Sequence, residues 1–326
     1  MDGAAAKPTT PRLSITADPA NYQPHFTHGT ERIWQETNCY LDLWIEVLHA
    51  LGLDPVPAFA CLLAADHDGF NWSFAKQQPE DLRRLYGLEV GEENAWLPML
   101  ELVESGPARG VLHTVEVDSW WLPDTAGTAY RNDHVKTTIT PTKIDSRHRV
   151  LWYVHNAGLY ELTGDDFDGV FGLRPDTELT LPPYIEVIRH RPDWTMPNAM
   201  ETIVQEQFSR RASGNPVERL AAAVTDAVAW LPGAGMDKFH LWAFASLRQC
   251  GATAELLADF AEYIDSHFTG AGAAAVPLRE AASNAKSAQF KMARVAIGRK
   301  GDVAPALSAM VTGWQEGFAA IADAVG

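Results

Sequence analysis

Hydrophobic positions first fall into register at residues 41–48, where Leu41, Trp44, Ile45 and Leu48 recur at helical spacing. Thr37 and Asn38 can cap that helix, and Leu51-Gly52 followed by Pro55 ends it, so Cys39 falls in its first turn. Between 111 and 121 the period changes to two: Val111, His113, Val115 and Val117 share a face, with Asp118 near the strand's end. Pro123-Asp124-Thr125-Ala126-Gly127 reads as a turn. Residues 134–139 and 150–154 are β-rich runs joined by the polar connection Asp145-Ser146-Arg147, which predicts an antiparallel pair. After Pro192 the texture becomes alanine-rich and helical over 197–211, 216–230, 237–250, 254–268, 278–297 and 303–325. Asn215-Pro216 supplies a cap and a first-turn proline, and Gly233, Gly251 and Gly270 stand where helices should stop.

These patterns predict three parts: an extended arm over 1–30 rich in Pro, Thr and Ala, an α+β domain over 31–192, and a helical bundle over 193–326. With 326 residues, 46% of them apolar, the chain can bury one large core or two ordinary ones. The opening Met1-Asp2-Gly3-Ala4 is acidic where a secretory leader would be basic, and no apolar run approaches the roughly 18 residues of a membrane span. The expectation is a cytoplasmic protein that does not engage a membrane.

A net charge of −16 argues against broad binding to nucleic acid or anionic lipid. The basic clusters Arg147-His148-Arg149 and Arg189-His190-Arg191 read as solvated loop charges or as local docking points for an acidic partner. Neither a G-x-G-x-x-G nor a G-x-x-x-x-G-K-[ST] loop occurs, so no intrinsic nucleotide cofactor is expected. Asp66-His67-Asp68 has metal-binding residue types but no recognised ligand spacing, so it reads as a polar loop and no metal is expected. Ser283 and Lys286 form an S-x-x-K match without its companion motifs.

The three cysteines, Cys39, Cys61 and Cys250, are far apart and suggest neither a disulfide framework nor a zinc ribbon. Cys39 is the one placed for reactivity, because unsatisfied amides and the macrodipole at a helix start favour a thiolate. A base is then needed, and His134, opening a strand after Arg131-Asn132-Asp133, can supply it. Asn156, one strand later in Val154-His155-Asn156-Ala157-Gly158, can orient the imidazole. Cysteine at a helix start, histidine at a strand start and an amide one strand on is the papain-like order. The alternatives stay open on residues alone: Cys39 as a small buried side chain, His134 as a hydrogen-bonded surface histidine, Asn156 as a turn residue.

The runs Trp34-Gln35-Glu36-Thr37-Asn38-Cys39-Tyr40, Glu116 to Pro123 and Tyr130 with Asp133-His134-Val135 resemble the amino-terminal domain of the butirosin biosynthesis protein H family. That family is similar to the papain-like peptidases of bacteriocin exporters but moves an acyl group from a carrier protein to an amine. The whole chain also resembles a bacterial family of unknown function at Val115 to Asp118, Leu122 to Thr125, His134 to Thr138, His155 to Gly158 and Phe244 to Arg248. The resemblance implies a papain-like catalytic domain followed by a helical bundle, and a Cys39–His134–Asn156 triad. It implies an acyl or aminoacyl carrier protein bearing phosphopantetheine as donor partner, and a small-molecule or peptide amine as acceptor. Gln35 and Asn38 become candidates for the oxyanion site or cleft, though Gln35 lies closer to the cysteine than the exporters' glutamine does. Asp118, Tyr130, Asn71 and Ser73 become candidates for substrate contact, with Asp118 equally readable as a turn cap. The expected activity is acyl transfer through a Cys39 acyl-enzyme. A cysteine hydrolase with the same three residues, and a non-catalytic carrier-protein or peptide-binding protein, are the alternatives.

Overall fold

The computed structural model describes residues 12–175 and 183–326. The chain divides into two compact units that interleave in sequence, one of residues 1–23, 46–53 and 78–197, the other of 24–45, 54–77 and 198–326. This differs from the contiguous division expected above, since the segment carrying Cys39 groups with the carboxy-terminal helices. Of the expected amino-terminal arm, residues 1–11 lie outside the described residues. The rest is anchored: the Leu13 amide donates to Gly110 O at 3.1 Å, Leu13 and Ile15 are buried, and Asp18 caps a single turn over 19–21.

Helix α1, Cys39–Ala50, forms where the sequence predicts it. Its burial is not confined to one stripe: Leu41, Asp42, Leu43, Trp44, Ile45, Glu46, Val47 and Leu48 are all buried, as in a helix surrounded by protein.

The first unit is built on one antiparallel sheet. Its strands are β1 (Leu88–Glu92), β2 (Leu112–Asp118), β3 (Lys136–Asp145), β4 (Val150–His155), β5 (Gly158–Thr163) and β6 (Ile185–His190), in spatial order β1-β6-β2-β3-β4-β5. The short helices α2 (Pro79–Tyr86), α3 (Met99–Glu104), α4 (Gly106–Arg109) and α5 (Asp165–Val170) accompany it. Val115, Val117, Ile139, Leu151 and Tyr153 of the sheet pack with Leu122 and Phe167 into its core. Pro141 lies inside β3 without a ladder donor, and the register against β4 shifts between Pro141 and Lys143, the bulge that an intrastrand proline requires. The tryptophan pair expected at the end of β2 instead forms a 3₁₀ turn, Ser119–Trp121, because Asp118 caps it through a 3.0 Å bond from the Trp120 amide.

The second unit is helical: α6 (Ala199–Ser209), α7 (Pro216–Ala243), α8 (Gln249–Ile264), α9 (Ala275–Ala296) and α10 (Ala304–Val325). Asn215 caps α7, accepting from the Val217 amide at 2.9 Å, as Asn215-Pro216 predicts. The two helices expected over 216–250 run on as one path, broken by Gly235 at φ 83° and continued into α8 through a π-helical turn, Phe244–Arg248. Gly251 stops nothing; it sits inside α8, where a Cβ would lie 2.4 Å from Nε1 of the buried Trp34.

His113 on β2 is buried, with Nε2 3.0 Å from a Glu93 carboxylate oxygen. Burial outweighs that carboxylate and lowers the imidazole's pKa, and His67 is lowered for the same leading reason. Protonation is therefore easier in the unfolded chain, so stability falls as pH drops below about 6.5, the ordinary histidine value. His113→Gln should flatten part of that decline, measured as the loss in urea midpoint between about pH 7.5 and pH 5.5 on either side of that value.

Candidate functional site

Cys39 belongs to the second unit and is the first residue of α1, half-buried, with no disulfide. The helix start is fixed by its cap. Asn38 Oδ1 accepts from the Tyr40 amide at 3.1 Å and the Leu41 amide at 2.9 Å, while Asn38 Nδ2 donates to Ala75 O at 3.0 Å. The buried Asp42 carboxylate reaches back to accept from the Thr37 amide at 2.8 Å and lies 3.6 Å from His28 Nε2. Burial pushes the Asp42 pKa up against the lowering effects of His28 and Thr37.

This arrangement corrects two expectations. Asn38 is occupied as a cap, with its amide group spent on Ala75 and Gln249, so it does not present a donor for an oxyanion. The Tyr40 and Leu41 amides are spent on Asn38 as well. What α1 offers Cys39 is the field of its positive end. Gln35 is exposed and donates to Gly29 O at 3.3 Å.

Sequence reasoning missed Gln249. It is buried on α8, donates to Thr37 O at 2.8 Å and accepts from Asn38 Nδ2 at 3.4 Å, holding both residues that precede the cysteine. Its neighbour Arg248 pairs with Glu36 at 3.3 Å. Arg248 ends the π-helical turn and Gln249 follows it, and the same turn exposes Ala245 O to the Trp72 amide at 3.0 Å. The run Phe244 to Arg248 stood out in the sequence only through its resemblance; the widened helix it forms did not. Cys250 beside them is fully enclosed, and burial pushes its thiol pKa up, as for an inert core cysteine.

Asn71 and Ser73 lie in the same unit, in a tight polar loop. Asp68 accepts from the Phe70 and Asn71 amides, both at 2.7 Å, and Ser73 Oγ accepts from the Asp66 amide at 2.7 Å. Arg219 binds the Asp66 carboxylate and His67 O. The Asp66-His67-Asp68 run is thus a loop clamped by an arginine, and among the described residues no three His, Cys, Asp or Glu side chains gather as metal donors. A cavity of about 730 Å³ beside Phe208, Arg211, Trp314 and Phe318 is lined by none of the candidate catalytic or substrate-contact residues.

In the first unit, the sheet assembles a second cluster. β2 and β3 pair with Asp118 opposite Lys136, and the chain entering β3 carries His134 back to the carboxylate. His134 Nδ1 is 2.6 Å from Asp118 Oδ2, and the ring stacks on Trp120 at 4.5 Å and 7°. The imidazole remains 68% exposed. With Asp118 accepting a hydrogen bond from Nδ1–H, Nε2 is the lone-pair nitrogen of a largely exposed ring. Asp118 thus caps a turn through Oδ1, one of the two readings the sequence left open, while its Oδ2 is engaged by His134.

Asn156 is not the partner of His134. It occupies the two-residue turn between β4 and β5, in the left-handed region at φ 41°, with Oδ1 buried and unbonded. The adjacent His155 is the residue wired into the interior: its ring bridges Asp124 Oδ2 at 2.5 Å and Thr137 Oγ1 at 2.7 Å, and Tyr153 donates to the other Asp124 oxygen at 2.5 Å. That network pins the turn between β2 and β3 from below. Tyr130 donates to Asp166 at 3.0 Å, and Arg131, bound to the same carboxylate, lies 4.2 Å over Trp121. Gly169 makes room for that tryptophan, since a Cβ there would fall 2.0 Å from the indole.

Fold and site together define an α+β protein with a six-stranded antiparallel sheet and a carboxy-terminal helical region. The chain belongs to the DUF1839 family, a conserved family of unknown function: residues 23–190 match the DUF1839 N-terminal domain and 194–323 the DUF1839 C-terminal domain. No curated protein matches it significantly. The family match carries no link to butirosin protein H. No helix among the described residues is long and apolar enough to cross a membrane.

Gln249→Leu leaves Thr37 O and the Asn38 amide without their buried partner and should lower unfolding free energy by about 1–3 kcal/mol. Gln35→Ala, at an exposed position, should stay within about 0.5 kcal/mol of wild type in the same urea titrations.

Proposed function

We propose that the protein is a papain-like cysteine acyltransferase of the cytoplasm. In this reading an acyl or aminoacyl group arrives as a thioester on the phosphopantetheine arm of a carrier protein. The Cys39 thiolate attacks its carbonyl, the new S–C bond forms as the carrier's C–S bond breaks, and the carrier thiolate leaves, taking the proton that His134 had received from the Cys39 thiol. An acceptor amine then attacks the acyl-enzyme, gives up a proton to His134 Nε2, and departs as an amide while Cys39 is regenerated.

The observation that carries this reading is the His134–Asp118 pair. A carboxylate at 2.6 Å on Nδ1 fixes the tautomer that a general base needs, and Trp120 holds the ring plane. Asp118 takes the orienting role assigned by sequence to Asn156. Cys39 at the first position of a twelve-residue helix supplies the nucleophile, and the resemblance at residues 34–40 and 116–123 supplies the donor class.

Intact-mass measurement after mixing with an aminoacyl carrier protein tests the reading. Wild type should gain the acyl mass on Cys39 and, with an amine present, pass it on as amide; Cys39→Ala should gain none. His134→Ala should slow acylation by about 10²–10⁴, the range for loss of a general base. Asp118→Asn should slow it too, whereas Asn156→Ala should match wild type. Release of free acid at one rate with and without amine would mean a hydrolase, and binding of the carrier protein with no acylation would mean a binding protein. Equal rates in Asp118→Asn and wild type would remove the pair from the mechanism.

A further inference from the structure

The segment leading into α1 forms one wall of a second cavity, about 490 Å³, bounded by Trp34, Gln35 and Glu36 and, from the helices of the same unit, by Arg248, Lys286 and Gln289. Its charges do not balance. Arg248 is paired with Glu36 at 3.3 Å. Arg32, also at the rim, is paired with Asp259 at 2.7 Å and Glu255 at 3.4 Å. Glu255 is further engaged by the Ile33 and Trp34 amides at 3.1 and 2.8 Å. Lys286 has no carboxylate within 4.0 Å among the described residues; its ammonium lies 4.1 Å over the Trp34 ring. Burial lowers its pKa, with Arg248 adding repulsion and Glu255 opposing, so the charge is held where an anion would relieve it. Two further polar atoms are buried without partners, the donor Arg248 Nε and the acceptor Gln289 Oε1. A surplus cation, an unbonded donor and an unbonded acceptor thus belong to one polar cavity, whereas buried polar groups are ordinarily bonded.

We infer that this cleft binds the anionic group of a small ligand, a carboxylate or a phosphate, through Lys286 and Arg248, with Gln289 Oε1 accepting from an adjacent N–H or O–H of the ligand. Such charge-assisted bonds are the strong ones. The inference does not rest on acyl transfer, because nothing in it uses Cys39 or His134. It does place the ligand against residues 34–36, which run directly into the cysteine helix.

Calorimetric titration of the full-length Cys39→Ala protein tests it, so that a failure of the catalytic reading leaves the result interpretable. The probes are N-acetylglycine, inorganic phosphate and the neutral N-acetylglycinamide. Saturable binding of N-acetylglycine alone identifies a carboxylate ligand, and of phosphate alone a phosphorylated one; either, or both, supports the site, provided the neutral amide does not bind. Lys286→Gln should weaken binding by about tenfold or more, the scale of a lost charge-assisted hydrogen bond, while Lys286→Arg should retain most of it. Gln289→Leu gives a second reading should Lys286→Gln fold poorly, and it should also weaken binding. Binding of neither anion, equal binding of the neutral amide, or an affinity unchanged in both Lys286→Gln and Gln289→Leu would overturn the assignment.

Discussion

An irregular segment packed among helices has no neighbouring strand to satisfy its amides and carbonyls, and each one buried without a partner is costly. Residues 33–38 meet that constraint with side chains of α8 and of the π-helical turn before it. Glu255 takes the Ile33 and Trp34 amides, Gln249 gives to Thr37 O, and Arg248 pairs with Glu36. Trp34 completes the seam, its ring filling the notch at Gly251 and its Nε1 donating to Ala282 O at 3.0 Å. The conformation of the cysteine's approach is therefore imposed by helix side chains more than two hundred residues later in the chain. Asn38, fixed in turn by Gln249 and Ala75, then starts α1.

The cluster on the sheet is held by a different logic. Antiparallel pairing fixes Asp118 opposite Lys136, the His155–Asp124–Tyr153 network holds the intervening turn, and Gly169 admits Trp121 beside it. The exposed pair of His134 and Asp118 contributes little to stability on its own. Its geometry is set by the buried groups that hold the turn and strands around it.

Much of this was legible in the chain. The cap at Thr37-Asn38, the alternation through β2, the polar connection at 145–147 and the Asn215-Pro216 helix start are local signals, and local signals survive folding. Strands β1, β5 and β6 were not picked out, since short runs such as Leu88–Glu92 carry too few residues for a period to emerge. The third member of the candidate site was misplaced for a related reason. Which residue faces His134 depends on strand register, and register is set by pairing across the sheet. Asn156 had the right order in sequence, but a two-residue turn directs it away from that role. Gly251 misled because a glycine that ends a helix and one that admits a neighbour's ring look alike until the ring is located.

The interleaving of the two units has a consequence for how the chain is made. Residues 24–45 leave the ribosome early, yet the groups that satisfy them, Gln249, Glu255 and the Gly251 notch, follow more than two hundred residues later. The second unit cannot close until the chain is nearly complete, whereas the sheet, drawn mostly from residues 78–197, can form first. A fragment cut near 192 would therefore carry the cysteine's approach without its supports, and the helical remainder would present an open slot where Trp34 belongs.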